Sequence, residues 1–491
     1  MSNFNEISDA TLLPGTFIEI DPSQAGLGSD LPLVLLVGQK LSTGTAVSGE
    51  IVRVASVKDA ETKAGVGSML AQMAKAYRSI DTVFDLFMLP YSDNAAGTYA
   101  TGTITVNTVA TASGTLPLYV SNRSVPVGVT VGQTTAQIAT AIAAAINANT
   151  DVPATAAAVG AVVTLTARHK GSCGNNIDLR YGIFGETMPA GLGLSTVAMT
   201  GGTGDPLPGD LASILGRSRW FKYVAIGMND AATLAAWHTE TQRRYKANVG
   251  KGFRAFNAFR GDFAQSAAYL ETKNYEHIAT TLLHINPTPT WEAAASSCAA
   301  AAPKLYNNPV RSLENTPLPG LVTLDYFDDT DANSLLFKGG SLLKYTMDGS
   351  TSFMRVNTMY KYKPDGSNDD AYRDIHTVET MERIRYYQRY FSAQEFAATV
   401  SAKTDEGYQP GLPITTEDRV KGFLLGLYKN FLMKELGWVQ EYAYYANTLI
   451  VRQNETNPSR FDFFDKPIIN SPFYTLAGRS QFAKRKPVTN S

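Results

Sequence analysis

Residues 31–38 (LPLVLLVG) form an unbroken apolar run that ends in glycine. The run is too short to span a membrane and has no polar face, so it has to be covered on both sides. The central strand of a parallel sheet meets that demand and requires helices packed on either face. The neighbouring residues fit. Residues 51–57 (IVRVASV) read as a strand and 59–79 as one helix, with Asp59 at its N-cap and Met69, Leu70, Met73, Ala76 and Tyr77 at helical spacing. Residues 83–89 (VFDLFML) read as a strand stopped by Pro90.

Near Tyr91 this rhythm breaks. Residues 94–204 are rich in Ala, Thr, Gly and Val and poor in charge. Short β-branched strands are expected at 101–109, 116–120, 125–131 and 161–167, with a helix over 134–148 carrying Ile138, Ile142 and Ile146 on one stripe. The run from Gly201 to Pro206 closes the segment as a flexible exit. Strand and helix alternation then resumes with strands at 221–227, 252–260 and 277–285 and helices at 230–247, 262–273 and 290–302, the last ended by Pro303. The simplest organisation is one α/β body, residues 31–93 and 205–335, with a β-rich outer domain, 94–204, inserted between its halves.

The rest of the chain reads as a C-terminal α+β domain over 336–470, between an N-terminal arm (1–30) and a C-terminal arm (471–491). The fold class is therefore α/β, or α+β overall: a discontinuous α/β body, an inserted β-rich domain and a C-terminal α+β domain with terminal arm strands. Within that last domain, Asp348-Gly349 marks a hairpin. Residues 374–391 form a helix with Ile375, Val378, Met381, Ile384 and Tyr387 inward and its arginines outward. A second helix over 416–436 is capped by Thr416 and ended by Gly437, with Lys421, Lys429 and Lys434 off its apolar face.

The chain ends in strand-competent material. Residues 448–455 (TLIVRQNE) and 460–464 (RFDFF) flank the turn cluster Thr456-Asn457-Pro458-Ser459, and 473–484 (FYTLAGRSQFAK) can extend. Residues 16–20 (TFIEI) supply a similar short strand near the other end. A terminal arm frays unless something binds it, and an extended arm is held by adding to a sheet edge, either its own or a neighbour's.

Chemistry is hard to find. No G-x-S-x-G, P-loop or H-E-x-x-H pattern occurs; the glycines at 191–193 and 201–204 do not join a buried strand to a helix as a dinucleotide loop must, and 249–252 lacks the upstream glycine and the Ser/Thr of a phosphate loop and reads as a turn before a strand. His169 and Cys173 lie four apart but lack further ligands at workable spacing, so they read as a turn after a strand. His277 and His284 fall on opposite faces of one predicted strand. No catalytic, cofactor-binding or metal-binding residue is assigned, and no cofactor is expected. The net charge of −1 gives no pull toward nucleic acid or anionic membrane, and the amino-terminal residues lack the basic and apolar regions of a signal peptide. Two cysteines far apart, Cys173 and Cys298, read as free thiols of a reducing compartment.

Six segments occur in one order: PLVLLVGQKLSTGTA from Pro32, GSMLAQMAKAYR from Gly67, LTARHKGSCGNNIDLR from Leu165, NPTPTWEAAAS from Asn286, NTPLPGL from Asn315, and LIVRQNETNPSRFDFF from Leu449. In this order the chain resembles the tail sheath proteins of contractile, Mu-like bacteriophages over nearly its whole length. The resemblance implies a structural protein without catalysis. Its subunits would stack helically as hexameric rings around a tail tube, meet baseplate and tail terminator proteins, and contract to drive the tube through the host envelope. It would be a virion component assembled in host cytoplasm, with no direct nucleic acid or membrane contact.

The arms would be exchanged between subunits. The inter-subunit strand residues would then be Thr16, Phe17, Ile18 and Ile20, Leu449, Val451, Phe461 and Phe463 in the receiving hairpin, and Phe473, Tyr474, Leu476 and Phe482 in the donated tail. Lys421, Lys429 and Lys434 would face the tube. A sheath of a related contractile injection system would carry the same pattern. An enzyme on the α/β body would instead need polar residues at the carboxyl ends of the strands near Gly38, Pro90 and Gly227, where none stands out.

Overall fold

The computed structural model describes residues 31–216, 219–409, 411–482 and 484. The body starts with β1 (Leu33–Gln39), β2 (Val52–Val54), α1 (Val57–Ala64), α2 (Met69–Arg78) and β3 (Asp85–Tyr91). The inserted segment holds β4 (Tyr99–Thr108), β5 (Gly114–Val120), β6 (Arg123–Val129), α3 (Thr135–Ala148), β7 (Ala154–Val159), β8 (Val162–Lys170), β9 (Leu179–Tyr181) and β10 (Gly193–Thr200). The body resumes with α4 (Leu211–Leu215), β11 (Phe221–Ile226), α5 (Ala231–Tyr245), β12 (Arg254–Arg260), α6 (Phe263–Glu271), β13 (Ile278–Leu283) and α7 (Thr290–Asn307).

Strands from both halves build one six-stranded sheet in the order β13-β12-β11-β1-β3-β2. β1 pairs in parallel with β11 on one side and β3 on the other, so the first apolar run is central and buried. Only the short edge strand β2 runs antiparallel. Helices α2 and α7 pack together over one face. Gly38 and Gly227 permit this contact, because a Cβ at either would lie within 3.1 Å of a Met69 or Met73 sulfur.

The expected helix over 59–79 is two helices. Gly65 and Gly67 adopt φ of 92° and 78°, and separate N-caps at Ser56 and Ser68 start α1 and α2. Pro90 does not stop β3. Its carbonyl accepts from the Gly49 N–H at 2.8 Å, so its nitrogen also faces away from β1 and no ladder donor is lost. Pro303 does not end α7 either, since the helix continues to Asn307. Burial of α7 on nearly every side outweighs the ~3 kcal/mol that a helical proline costs.

The insertion holds two antiparallel sheets, β10-β4-β8-β7 and β6-β5-β9, with α3 capped by the reciprocal Thr134–Gln137 box. It is no loose appendage, because its apolar residues and those of the body form one continuous core. Arg123 Nη2 reaches Glu292 Oε1 on α7 at 2.6 Å, and the Glu292 side chain is only 6% exposed. Arg123→Ala therefore strands a buried carboxylate and is expected to destabilise the chain by about 2 kcal/mol, read from the shift in urea midpoint.

The carboxyl-terminal part holds α8 (Asp329–Phe337), β14 (Leu342–Tyr345), β15 (Thr351–Arg355), α9 (Ile375–Glu395), β16 (Val400–Ser401), β17 (Ile414–Thr415) and α10 (Glu417–Gly426). A π-helix, Leu427–Glu435, continues α10 and is followed by β18 (Val439–Gln440), α11 (Tyr442–Thr448), β19 (Ile450–Gln453), β20 (Phe461–Phe464) and β21 (Ile468–Ile469). The apolar cores do not divide at residue 336. Leu342, Phe353, Met359 and Ile375 join the first core, while Ile384, Leu424, Tyr428, Leu432, Trp438 and Tyr445 form the second. α9 is thus a strut, with its first turns in one core and its later turns in the other.

Among the described residues, no helix is long and apolar enough to cross a membrane.

Candidate assembly surface

In an open α/β sheet, ligands bind outside the carboxyl ends of the strands. Here the insertion closes that end. Gln39 Nε2 donates to Asp93 Oδ1 and to the Lys170 carbonyl, both at 2.8 Å. Arg260 Nη1 donates to the Asn176 carbonyl at 2.6 Å, and the Cys173 thiol lies 3.7 Å from the Gly227 carbonyl. His169 is held between the Met69 N–H, from which Nε2 accepts at 3.0 Å, and Asp93 Oδ1, 2.9 Å from Nδ1. The cavity left among Met69, His169, Cys173 and Trp291 measures about 10 Å³, space for about one water and no substrate. Both cysteines are buried and unpaired, and burial raises each thiol well above its usual pKa. Among the described residues, no group of three or more His, Cys, Asp or Glu is placed to hold a metal.

At the opposite end of the sheet, α9 meets β11 and β12 through buried charge. Glu379 receives Lys222 Nζ at 3.0 Å, Arg254 Nε at 3.2 Å and Arg383 Nε at 3.2 Å. The next turn adds Glu382, 2.5 Å from Arg385 Nη2 and 3.8 Å from Arg254 Nη2. Gly252 is required beside it, because a Cβ there would stand 2.6 Å from Glu382 Oε2. The sequence reading that turned the α9 arginines outward is corrected here. Arg383 is buried, because the carboxylates it serves lie on the core side of its own helix.

The surface left for assembly lies at the carboxyl end. β19 and β20 form a two-stranded hairpin in the register Ile450↔Phe464 to Gln453↔Phe461. Its turn is organised by Asn454, whose Oδ1 accepts from the Thr456 and Asn457 N–H groups at 3.1 and 3.0 Å. The Asn454 N–H donates to the Arg460 carbonyl, so by the alternation of an antiparallel ladder Val451, Gln453, Phe461 and Phe463 point their backbone groups outward. On the β19 side Glu417 takes the Gln453 N–H at 2.9 Å. On the β20 side, no strand among the described residues pairs with Phe461 or Phe463, and Phe463 is 47% exposed. Leu449, just before β19, is buried in the second core rather than offered at the edge.

Beyond the hairpin, β21 pairs with β18 and Asn470 caps the pairing through the Trp438 carbonyl. The described residues from 471 on carry no regular structure. The strand expected over 473–484 therefore does not form within the single chain. Tyr474 alone is tied down: the Arg355 guanidinium lies 4.4 Å from its ring centroid, and its hydroxyl is buried near Asp374. Phe473, Leu476 and Phe482 are 73%, 86% and 88% exposed. Thr16, Phe17, Ile18 and Ile20 lie outside the described residues.

Lys429 and Lys434 are exposed on the π-helix, whose i→i+5 bonding brings residues five apart to one side. Lys421, on α10, is half-buried. A π-helix was not legible in the sequence.

No protein-family model matches the chain. It is 30% identical over 486 residues, 98% of its length and 99% of the relative's, to the Mu-like prophage FluMu tail sheath protein of Haemophilus influenzae. Among solved structures it is similar to the sheath tail protein of Desulfitobacterium hafniense, with a TM-score of 0.46 and 13% identity over 93% of this chain and 100% of that one. A further similarity is to the sheath complex of an extracellular contractile injection system in its contracted state, with a TM-score of 0.47 and 10% identity over 97% of this chain and 99% of that one.

Proposed function

This chain belongs to the tail sheath proteins of Mu-like prophages, and on that premise we propose that its subunits stack as hexameric rings around a tail tube and contract as one mesh. The exposed apolar tail and the open hairpin edge carry this reading. A strand-competent segment that finds no partner in its own chain gains main-chain hydrogen bonds by adding to the edge of a neighbour. Those bonds hold the mesh while the subunit bodies rotate.

The same reading makes the chain non-enzymatic. Its partners are copies of itself, a tube protein and the proteins at the two ends of the tail. Lys429, Lys434 and Lys421 offer the tube a face of few, polar contacts that break as contraction passes. The assembled protein is a virion component, built in the host cytoplasm. Negative-stain electron microscopy of the purified chain tests the proposal. Thick-walled, striated cylinders are the expected result, and uniformly small particles at every concentration and with tube protein present would count against it.

Edge addition makes a sharper forecast at β20. Phe463→Pro removes an N–H that points away from β19, so the hairpin keeps its ladder. Assembly is expected to require a protein concentration higher by roughly tenfold, the effect of losing interactions worth about 1.4 kcal/mol. Pelleting across a dilution series measures it, and an unchanged threshold would exclude this edge.

A further inference from the structure

We propose that the apolar groove between the end of α9 and α10 is the seat for the apolar side chains of a neighbouring copy's C-terminal tail. The inference rests on the arm-exchange reading above and adds to it a side-chain receptor separate from the hairpin edge.

The groove has a volume of about 690 Å³. Its walls are two edge-to-face aromatic pairs, Phe391–Phe431 and Phe396–Phe423, with centroids 5.1 and 5.2 Å apart. Gly422 and Gly426, four apart on α10, line it too, and a Cβ on either would meet nothing within 4 Å. Glycine inside a helix costs roughly 0.5–1 kcal/mol relative to alanine, and here it keeps a channel open along the helix. The opposite side of α10 receives β19, so groove and hairpin are carried by one helix.

The occupant follows from chain length and charge. Phe473, Leu476 and Phe482 are exposed apolar side chains that find no burial among the described residues of their own subunit. Tyr474 holds their tail at the amino end of α9, beside Asp374. The groove lies at the other end of that helix, about 26 Å away at ~1.5 Å per residue from Asp374 to Phe391. Leu476 is two residues past Tyr474 and reaches only about 7 Å at ~3.5 Å per residue. While Tyr474 is seated, Phe473 and Leu476 cannot enter their own groove and a second copy has to supply them, whereas Phe482, eight residues past Tyr474, spans about 28 Å and is not so restricted. Charge is compatible: the tail carries Arg479 and Lys484, and of the two charged residues lining the groove Arg419 is paired with Asp405 at 3.4 Å while Glu395 is exposed and in no ion pair among the described residues.

A fluorescent peptide of residues 471–484 titrated into the full chain tests this by anisotropy. Saturable binding is expected, weakened roughly tenfold or more by Gly422→Trp, which fills the groove, and equally by Leu476→Asp with Phe482→Asp in the peptide. Binding unchanged by Gly422→Trp, or no binding at millimolar peptide, overturns the assignment. Should Gly422→Trp fail to fold, full chains carrying Gly422→Cys are mixed with chains carrying Leu476→Cys. The native cysteines are buried, so a disulfide-linked dimer formed only in the mixture supports the groove, and its absence refutes it. Cylinders from wild type and Gly422→Trp alike would leave the sheath reading standing without the groove. Groove binding by a wild type that never forms cylinders would do the reverse.

Discussion

A chain truncated after Pro472 is expected to fold, stay monomeric and form no cylinders at concentrations where the full chain polymerises. The monomer loses little. Phe473, Leu476 and Phe482 project into solvent, so removing them uncovers no core. β21 ends at Ile469 and Asn470 is retained, so the second core stays closed. Among the described residues, the main loss is Tyr474, with its Arg355 contact and its buried hydroxyl near Asp374, about 1 kcal/mol for a partly desolvated cation–π pair. Under the proposed arm exchange, assembly loses a donated strand from every subunit at once, and a contact repeated throughout the proposed rings is lost everywhere together. Size-exclusion chromatography with electron microscopy reads both halves of the forecast. Normal cylinders from the truncated chain would mean that the tail is not a structural arm.

The body was legible because burial on both faces leaves an unmistakable apolar run in β1, and β11 and β13, though they carry Lys222, Thr280 and Thr281, recur at α/β spacing. The broken helix at Gly65 was missed because apolar spacing continues across the break, while of the caps that decide it Ser56 reads as the end of a strand and Ser68 as helix interior. β7 was missed because an Ala-rich strand lacks the usual β-branched residues, and β10 because most of its side chains are exposed, so no alternation of apolar residues marks it. The hairpin was legible through Asn454, Asn457 and Pro458, whose turn chemistry is local. The tail was not, since its strand-forming residues find no partner strand among the described residues. The inward turn of Arg383 was equally invisible, because a charged residue reads as exposed until its carboxylate partners are placed.

Those partners carry the second large effect. Glu379→Gln is expected to destabilise the chain by about 3–5 kcal/mol, the range for breaking a buried ion pair from one side. Burial alone would raise the Glu379 pKa, but Lys222, Arg383 and Arg254 overcome it and hold the carboxyl at about 2. Glutamine keeps the shape and removes the anion, leaving three buried cations facing a neutral amide. The sign with pH follows. The folded-state pKa is depressed below the ordinary value of 4.5, so the stabilisation is complete above about pH 4.5 and is lost as pH falls toward about 2. Urea titrations should therefore show a large gap between wild type and Glu379→Gln at neutral pH that narrows on acidification. Arg53→Ala, which breaks an ion pair with both partners in solvent, should track wild type throughout. A small gap at neutral pH, or one that widens in acid, would mean that water reaches the cluster and that apolar packing alone joins α9 to the sheet. The expected result places the link between the two cores in charge, so that α9 is fixed in register by directional contacts that apolar packing does not provide.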